Sequence, residues 1–141
     1  MVVIYDAENQ ILGRLCTVIA KKLLNGEDVI VVNAAKAVVS GKPSMKEKEY
    51  LIKLQRGDPY KGPFFPRTPD GIFRRAVRGM LPWHKSCGRK AYKRLRVFAG
   101  VPEKIGKEKM EKVKSADVSK LKSKSATLGE VAIAIGAKKR W

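Results

Sequence analysis

The chain has 141 residues, 44% of them hydrophobic, which is enough for one compact core and too few for two. Against 13 Asp and Glu stand 31 Lys and Arg, a formal net charge of +18, and self-repulsion on that scale calls for a polyanionic partner. The apolar runs are far shorter than a membrane span and no signal-peptide layout is present, so the expected location is cytoplasmic with no membrane partner. Cys16, Cys87 and the single histidine, His84, are too few to build a structural metal site.

Val2 to Tyr5 reads as a short strand. Leu12, Leu15, Cys16, Ile19, Ala20, Leu23 and Leu24 then recur at helical spacing and predict one apolar stripe, stopped at Asn25-Gly26. Val29 to Val32 runs apolar without alternation, as a strand buried on both faces does. Strand, helix and doubly buried strand make a βαβ unit with a parallel, right-handed crossover, so the fold class is α/β. Val38 and Val39 start another short extended piece. Ser44 followed by Glu47 predicts a capping box that opens a helix ending near Leu54.

From Arg56 to Pro69 the chain is a stiffened irregular loop, with Gly57, Pro59, Gly62, Pro63 and Pro66 interleaved with Tyr60, Phe64 and Phe65. Its aromatics either pin the loop to its own domain or stack on bases, and the sequence leaves both open. Thr68 as N-cap and Pro69 at the first position start a helix. Ile72, Phe73, Ala76, Val77 and Met80 form its apolar side, on which Met80 is expected in the core, and Arg74, Arg75 and Arg78 form the other side. A second basic helix is expected from Cys87 or Gly88, and a strand from Leu95 to Ala99 stops at Gly100.

Beyond Pro102, residues 103–125 are dominated by Lys, Glu and Ser with isolated apolar positions, which predicts a weakly packed extension. Thr127 with Glu130 then repeats the capping-box pattern. Leu128, Val131, Ala132 and Ile135 make a short apolar stripe by which a terminal helix docks on the core. The expected organisation is a core domain over residues 1–102 and a basic extension over 103–141.

Charge is unevenly spread along these elements. Residues 1–35 hold three bases and four acids, residues 36–102 hold seventeen and four, and residues 103–141 hold eleven and five. The middle segment reads as a binding surface. Its helix divides into an apolar side and an arginine side, and guanidinium groups match phosphate oxygens bidentately where lysine offers a point charge.

Catalysis has no support in the residues. His84 lies among Trp83 and Lys85 with no nucleophile motif of a known type, and neighbours on an extended segment point opposite ways. The first βα connection, Asp6 to Arg14, has one glycine and two acids, unlike a nucleotide-binding fingerprint. Glu47, Glu49, Asp58 and Asp70 are too scattered to hold magnesium for a nuclease. Neither a cofactor nor a small-molecule substrate is expected.

Two stretches carry a resemblance. One is Asp6-Ala7 through Leu12-Gly13-Arg14-Leu15 to Val31-Val32-Asn33-Ala34. The other is Val77-Arg78-Gly79-Met80-Leu81-Pro82, then Gly88-Arg89, then Leu95-Arg96-Val97-Phe98-Ala99-Gly100. With the Gly41-Lys42 turn they cover most of residues 2–102, and in them the chain resembles the L13 family of universal large-subunit ribosomal proteins, in its archaeal form. The chain departs from the bacterial pattern over Ser44 to Pro69 and after Pro102.

The resemblance implies a three-layer α/β/α domain around a small parallel sheet, a Lys-rich extension ending in a short helix, and no catalytic activity. It also implies a place in the ribosome, early assembly onto large-subunit ribosomal RNA, and neighbouring ribosomal proteins as partners. The expected RNA contacts are Arg56, Lys61 and Arg67 of the loop, and Arg74, Arg75 and Arg78 of the first basic helix. His84, Lys85, Arg89, Lys90, Lys93 and Arg94 around the second helix join them, as do Lys138, Lys139 and Arg140 at the end. Two other functions fit the charge: an RNA-binding translational regulator acting outside the ribosome, and a DNA-compacting protein.

Overall fold

A computed structural model describes residues 2–105 and 109–141. Strand β1 (Val2–Asp6), helix α1 (Leu12–Leu24) and strand β2 (Asp28–Val32) form the expected βαβ unit. Val2 pairs Asp28 and Asp6 pairs Val32 in parallel register. Strand β4 (Leu95–Val97) adds to the far side of β2, again parallel, giving the order β1-β2-β4. Val31 and Val32 are both 0% exposed although adjacent residues of a strand face opposite ways, so both faces of the middle strand are covered. The α1 stripe is buried from Leu12 to Leu23. Leu24 lies at the solvent edge of that arc and is exposed.

β4 ends two residues earlier than expected. The carbonyls of Phe98, Ala99 and Gly100 accept from the N–H groups of Ala34, Ala35 and Asn33, in the turn that follows β2. Those bonds take the chain off the ladder. The same turn explains the Asp6-Ala7 and Asn33-Ala34 motif residues. Asn33 is left-handed (φ 57°), and its side-chain amide donates to Asp6 Oδ1 at 2.9 Å. The Glu8 N–H donates to the same oxygen and Lys112 Nζ lies 3.2 Å from Oδ2. Burial works to raise the Asp6 carboxyl, but the bonds from Asn33, Glu8 and Lys112 more than offset it and hold it below the usual range.

Helix α2 (Pro43–Gln55) begins one residue ahead of the expected cap. Lys42 is the N-cap and Pro43, with φ preset for a helix, takes the first position. Ser44 is thus already helical, and no capping box forms there. Helix α3 (Pro69–Met80) follows Thr68 and Pro69 as expected, and helix α4 (Ser86–Lys93) starts slightly ahead of Cys87. Among the described residues, no helix is long and apolar enough to cross a membrane.

The C-terminal part is tied to the fold more closely than its composition suggests. Strand β3 (Val38–Ser40) pairs antiparallel with β5 (Ser125–Thr127). Glu111 exchanges backbone bonds with β1, donating to Ile4 O at 2.8 Å and accepting from Asp6 N at 3.0 Å. Ala116 is 0% exposed and its carbonyl accepts from Ile11 N. Glu111 thus lies along the edge of β1 opposite β2, and Ala116 is tied to the segment between β1 and α1. These contacts correct the reading of the extension as weakly packed for residues 111–118; residues 106–108 of that stretch lie outside the described residues. An edge strand is recognised through main-chain groups and needs no apolar side chains, so the composition carried no sign of it. Helix α5 (Leu128–Ala134) has the capping box of Thr127 and Glu130 and buries Leu128, Val131 and Ala132, with Leu128 and Ala132 in the same core cluster as α1 and α3.

Candidate nucleic-acid interface

Helix α3 is built to be two-sided. Ile72, Phe73 and Val77 enter the core, and Phe73 is among its largest fully buried side chains. Met80, expected with them, is 42% exposed instead. It is the last residue of α3, where its sulfur meets Thr17 Oγ1 at 3.7 Å on the exposed side of α1, and Leu81 immediately after it takes the buried place in the core.

The other side carries three guanidinium groups, each lying over an aromatic ring. Arg74 is 5.0 Å from the centroid of Tyr92 on α4, Arg75 is 4.8 Å from that of Phe65, and Arg78 is 4.3 Å from that of Trp83. Trp83 and Tyr92 themselves meet edge to face at 5.3 Å. Arg75 Nη2 also donates to Phe64 O at 3.3 Å. Such stacking contributes about 0.5–1 kcal/mol at exposed sites and fixes the direction of each group.

Charge neutralisation follows a different pattern. The ion pairs among the described residues all draw their cation from lysine: Lys22, Lys36, Lys46, Lys53 and Lys112. The arginines of α3 are therefore oriented by rings yet not neutralised by carboxylates, an arrangement that suits an external phosphate.

The turn between α3 and α4 completes this face. A Cβ on Gly88 would lie 2.1 Å from Pro82 O, so only glycine lets α4 approach the Leu81-Pro82 turn so closely. That contact sets Trp83 beneath Arg78. Arg75, Arg78, Gly79, Pro82, Trp83 and His84 line an open depression of about 600 Å³ floored by Leu81. His84 is exposed, and its carbonyl lies 3.5 Å from Arg89 Nη2. Lys85, Arg89, Lys90 and Lys93 are exposed on α4 and just before it.

The remaining expected contacts lie elsewhere. Arg94 donates to Leu23 O at 3.4 Å, satisfying a carbonyl at the C-terminus of α1, a structural bond the sequence did not suggest. Lys93 and Arg94 line a separate hollow with Val2, Asp28, Ile30 and Arg96. Arg56 is the C-cap of α2 and Lys61 stands at the exposed turn of the following loop. Arg67 reaches the turn that ends α5, where a Cβ on Gly136 would lie 3.1 Å from its Nη1. Lys138, Lys139 and Arg140 follow that turn and are exposed there.

The supports of this face leave no signal in the sequence. Trp83 lies close to Arg78 in the chain, but Tyr92 is far from Arg74, and a contact across two helices leaves no periodic trace. Cys16 is buried in α1, and burial pushes its thiol up to about 12, while Cys87 is exposed on α4. Among the described residues no three His, Cys, Asp or Glu side chains converge as a metal site requires.

Residues 1–104 match the family described as Ribosomal protein L13. The chain is 49% identical over 136 residues to the large ribosomal subunit protein uL13 of Methanopyrus kandleri, covering 94% of this chain and 86% of that one. It is 51% identical over 135 residues to the protein of the same name from Archaeoglobus fulgidus, with the same coverage of 94% and 86%. With that of Methanosarcina barkeri the identity is 43% over 137 residues, covering 96% and 98%.

Proposed function

Because the chain belongs to the ribosomal protein L13 family, we propose that the arginine side of α3 and the bases around α4 bind large-subunit ribosomal RNA. Binding there seats the protein early in subunit assembly, beside neighbouring ribosomal proteins. The family's role is structural and not enzymatic, and its place is the large subunit of the cytoplasmic ribosome.

One observation carries the RNA reading: Arg74, Arg75 and Arg78 are each held over a ring, while the carboxylates of the described ion pairs engage only lysines. Half-buried guanidinium groups already held against rings on a helix make bidentate phosphate contacts with little further ordering cost. The formal charge of +18 adds long-range attraction to the RNA.

Sucrose-gradient fractionation of a native extract tests this role. The protein is expected to sediment with large subunits and to remain there after a high-salt wash. Recovery in ribosome-free fractions at moderate salt would contradict it.

A further inference from the structure

The loop between α2 and α3 divides its aromatic side chains. Phe65 is half-buried beneath Arg75 and anchors the loop to α3. Tyr60 and Phe64 face solvent, at 91% and 65% exposure. An aromatic ring left that open contributes nothing to the core, so packing gives no account of these two.

The loop that carries them is closed and stiff. Asp58 N donates to Gly62 O at 3.1 Å and Gly62 N returns a bond to Asp58 O at 2.9 Å. Asp58 Oδ1 accepts from Tyr60 N at 2.9 Å. Gly57 has φ +94°, and a Cβ there would lie 2.3 Å from Gly62 O, so the close approach of the two arms of the loop requires glycine. The result holds Tyr60 at the tip before any partner arrives.

Charge identifies the partner. Arg56, Lys61 and Arg67 flank the two rings, and the loop's single carboxylate, Asp58, is occupied by the backbone N–H of Tyr60. Arg56, Arg67, Phe64 and Asp58 also line a groove of about 270 Å³ behind the tip. Rings interleaved with cations on a preformed loop match the pairing of base stacking and phosphate contact in single-stranded nucleic-acid binding. We propose that this loop is a stacking site for an unpaired RNA base, with Tyr60 and Phe64 as the platforms and Arg56 and Lys61 on the adjoining phosphates. A base inside a duplex offers no free face, so the site takes a loop, bulge or end. The proposal rests on the RNA-binding reading above and adds a second contact, distinct from the α3 face.

The test compares the full-length protein with Tyr60→Ala, Phe64→Ala and Tyr60→Trp on two probes at one salt concentration, a short oligoadenylate and a self-complementary RNA duplex. Loss of one stacked base weakens binding roughly 5- to 150-fold. Tyr60→Ala is expected to lose that factor on oligoadenylate and to bind the duplex as before, and Tyr60→Trp is expected to restore oligoadenylate binding. Because Tyr60 is almost wholly exposed, its replacement leaves folding intact. Unchanged oligoadenylate binding by both alanine variants, or equal loss on both probes, would overturn the stacking site alone. A wild-type protein that binds neither probe would overturn the RNA reading with it. Variants that bind both probes normally yet fail to enter subunits would make the loop a protein contact instead.

Discussion

The guanidinium of Arg78 lies 4.3 Å from the centroid of the Trp83 ring, across the turn that joins α3 to α4. Trp83 also meets Tyr92, on which Arg74 rests, so the two rings hold two of the three arginines. Removing Trp83 disturbs the face without changing its charge. Trp83→Ala is expected to weaken RNA binding about two- to fivefold, the equivalent of roughly 0.5–1 kcal/mol. Anisotropy titration of a large-subunit RNA fragment at fixed salt measures it, and unchanged affinity would show that the rings do not position the arginines.

The two cysteines provide a second check on the core. Cys16 is buried in α1 with its thiol pushed up to about 12, and Cys87 is exposed. A thiol reagent at neutral pH is expected to label Cys87 alone in the native protein and both residues in denaturant. Peptide mapping after brief labelling distinguishes them, and equal native labelling would contradict the packing of α1.

Asp6 makes stability depend on pH with a definite sign. Its folded-state carboxyl is held below the ordinary range, so its contribution is fully present above the unfolded value, roughly 3.9, and is lost as pH falls through the folded value. Asp6→Asn keeps an oxygen acceptor for Asn33 but loses the charge facing Lys112. The wild type is therefore expected to exceed the variant in urea midpoint at pH 7, and the gap is expected to narrow by pH 3. A gap independent of pH would remove the role assigned to the ionised carboxylate.

The C-terminal helix and its C-cap belong to the central core through Leu128, Ala132 and Ile135. A large apolar side chain such as Leu or Ile contributes about 1.5–3 kcal/mol on burial, against a total stability of roughly 5–15 kcal/mol for a domain. A chain ending at Ile105 is thus expected to lose cooperative unfolding. Calorimetry decides it, and a sharp transition in the shortened chain would mean that the first 105 residues fold alone.

Elements with a strong local period were legible in the sequence. The α1 stripe, the doubly buried β2 and the Pro69 start of α3 each rest on a pattern contained within one segment. The pairing of Glu111 with β1 and of β3 with β5 was not legible, because main-chain bonds leave no mark on side-chain composition. Ser44 misled because a proline one residue earlier had already begun the helix, and Met80 because helical periodicity does not show that at the helix end the next residue, Leu81, takes the core position. At the interface the division of α3 was plain, but the rings beneath the arginines and the engagement of Arg94 with Leu23 depend on the approach of distant segments.

The most direct test of the interface is the variant Arg74→Gln, Arg75→Gln and Arg78→Gln, titrated with a large-subunit RNA fragment across a range of salt. Glutamine preserves helix propensity, and the absence of stacking is expected to cost about 0.5–1 kcal/mol of stability per site, leaving the protein folded. RNA affinity is expected to fall by at least tenfold, and the slope of log affinity against log salt to flatten by about one unit for each phosphate the variant no longer neutralises. A folded variant with wild-type affinity and slope would contradict the assignment of this face to RNA.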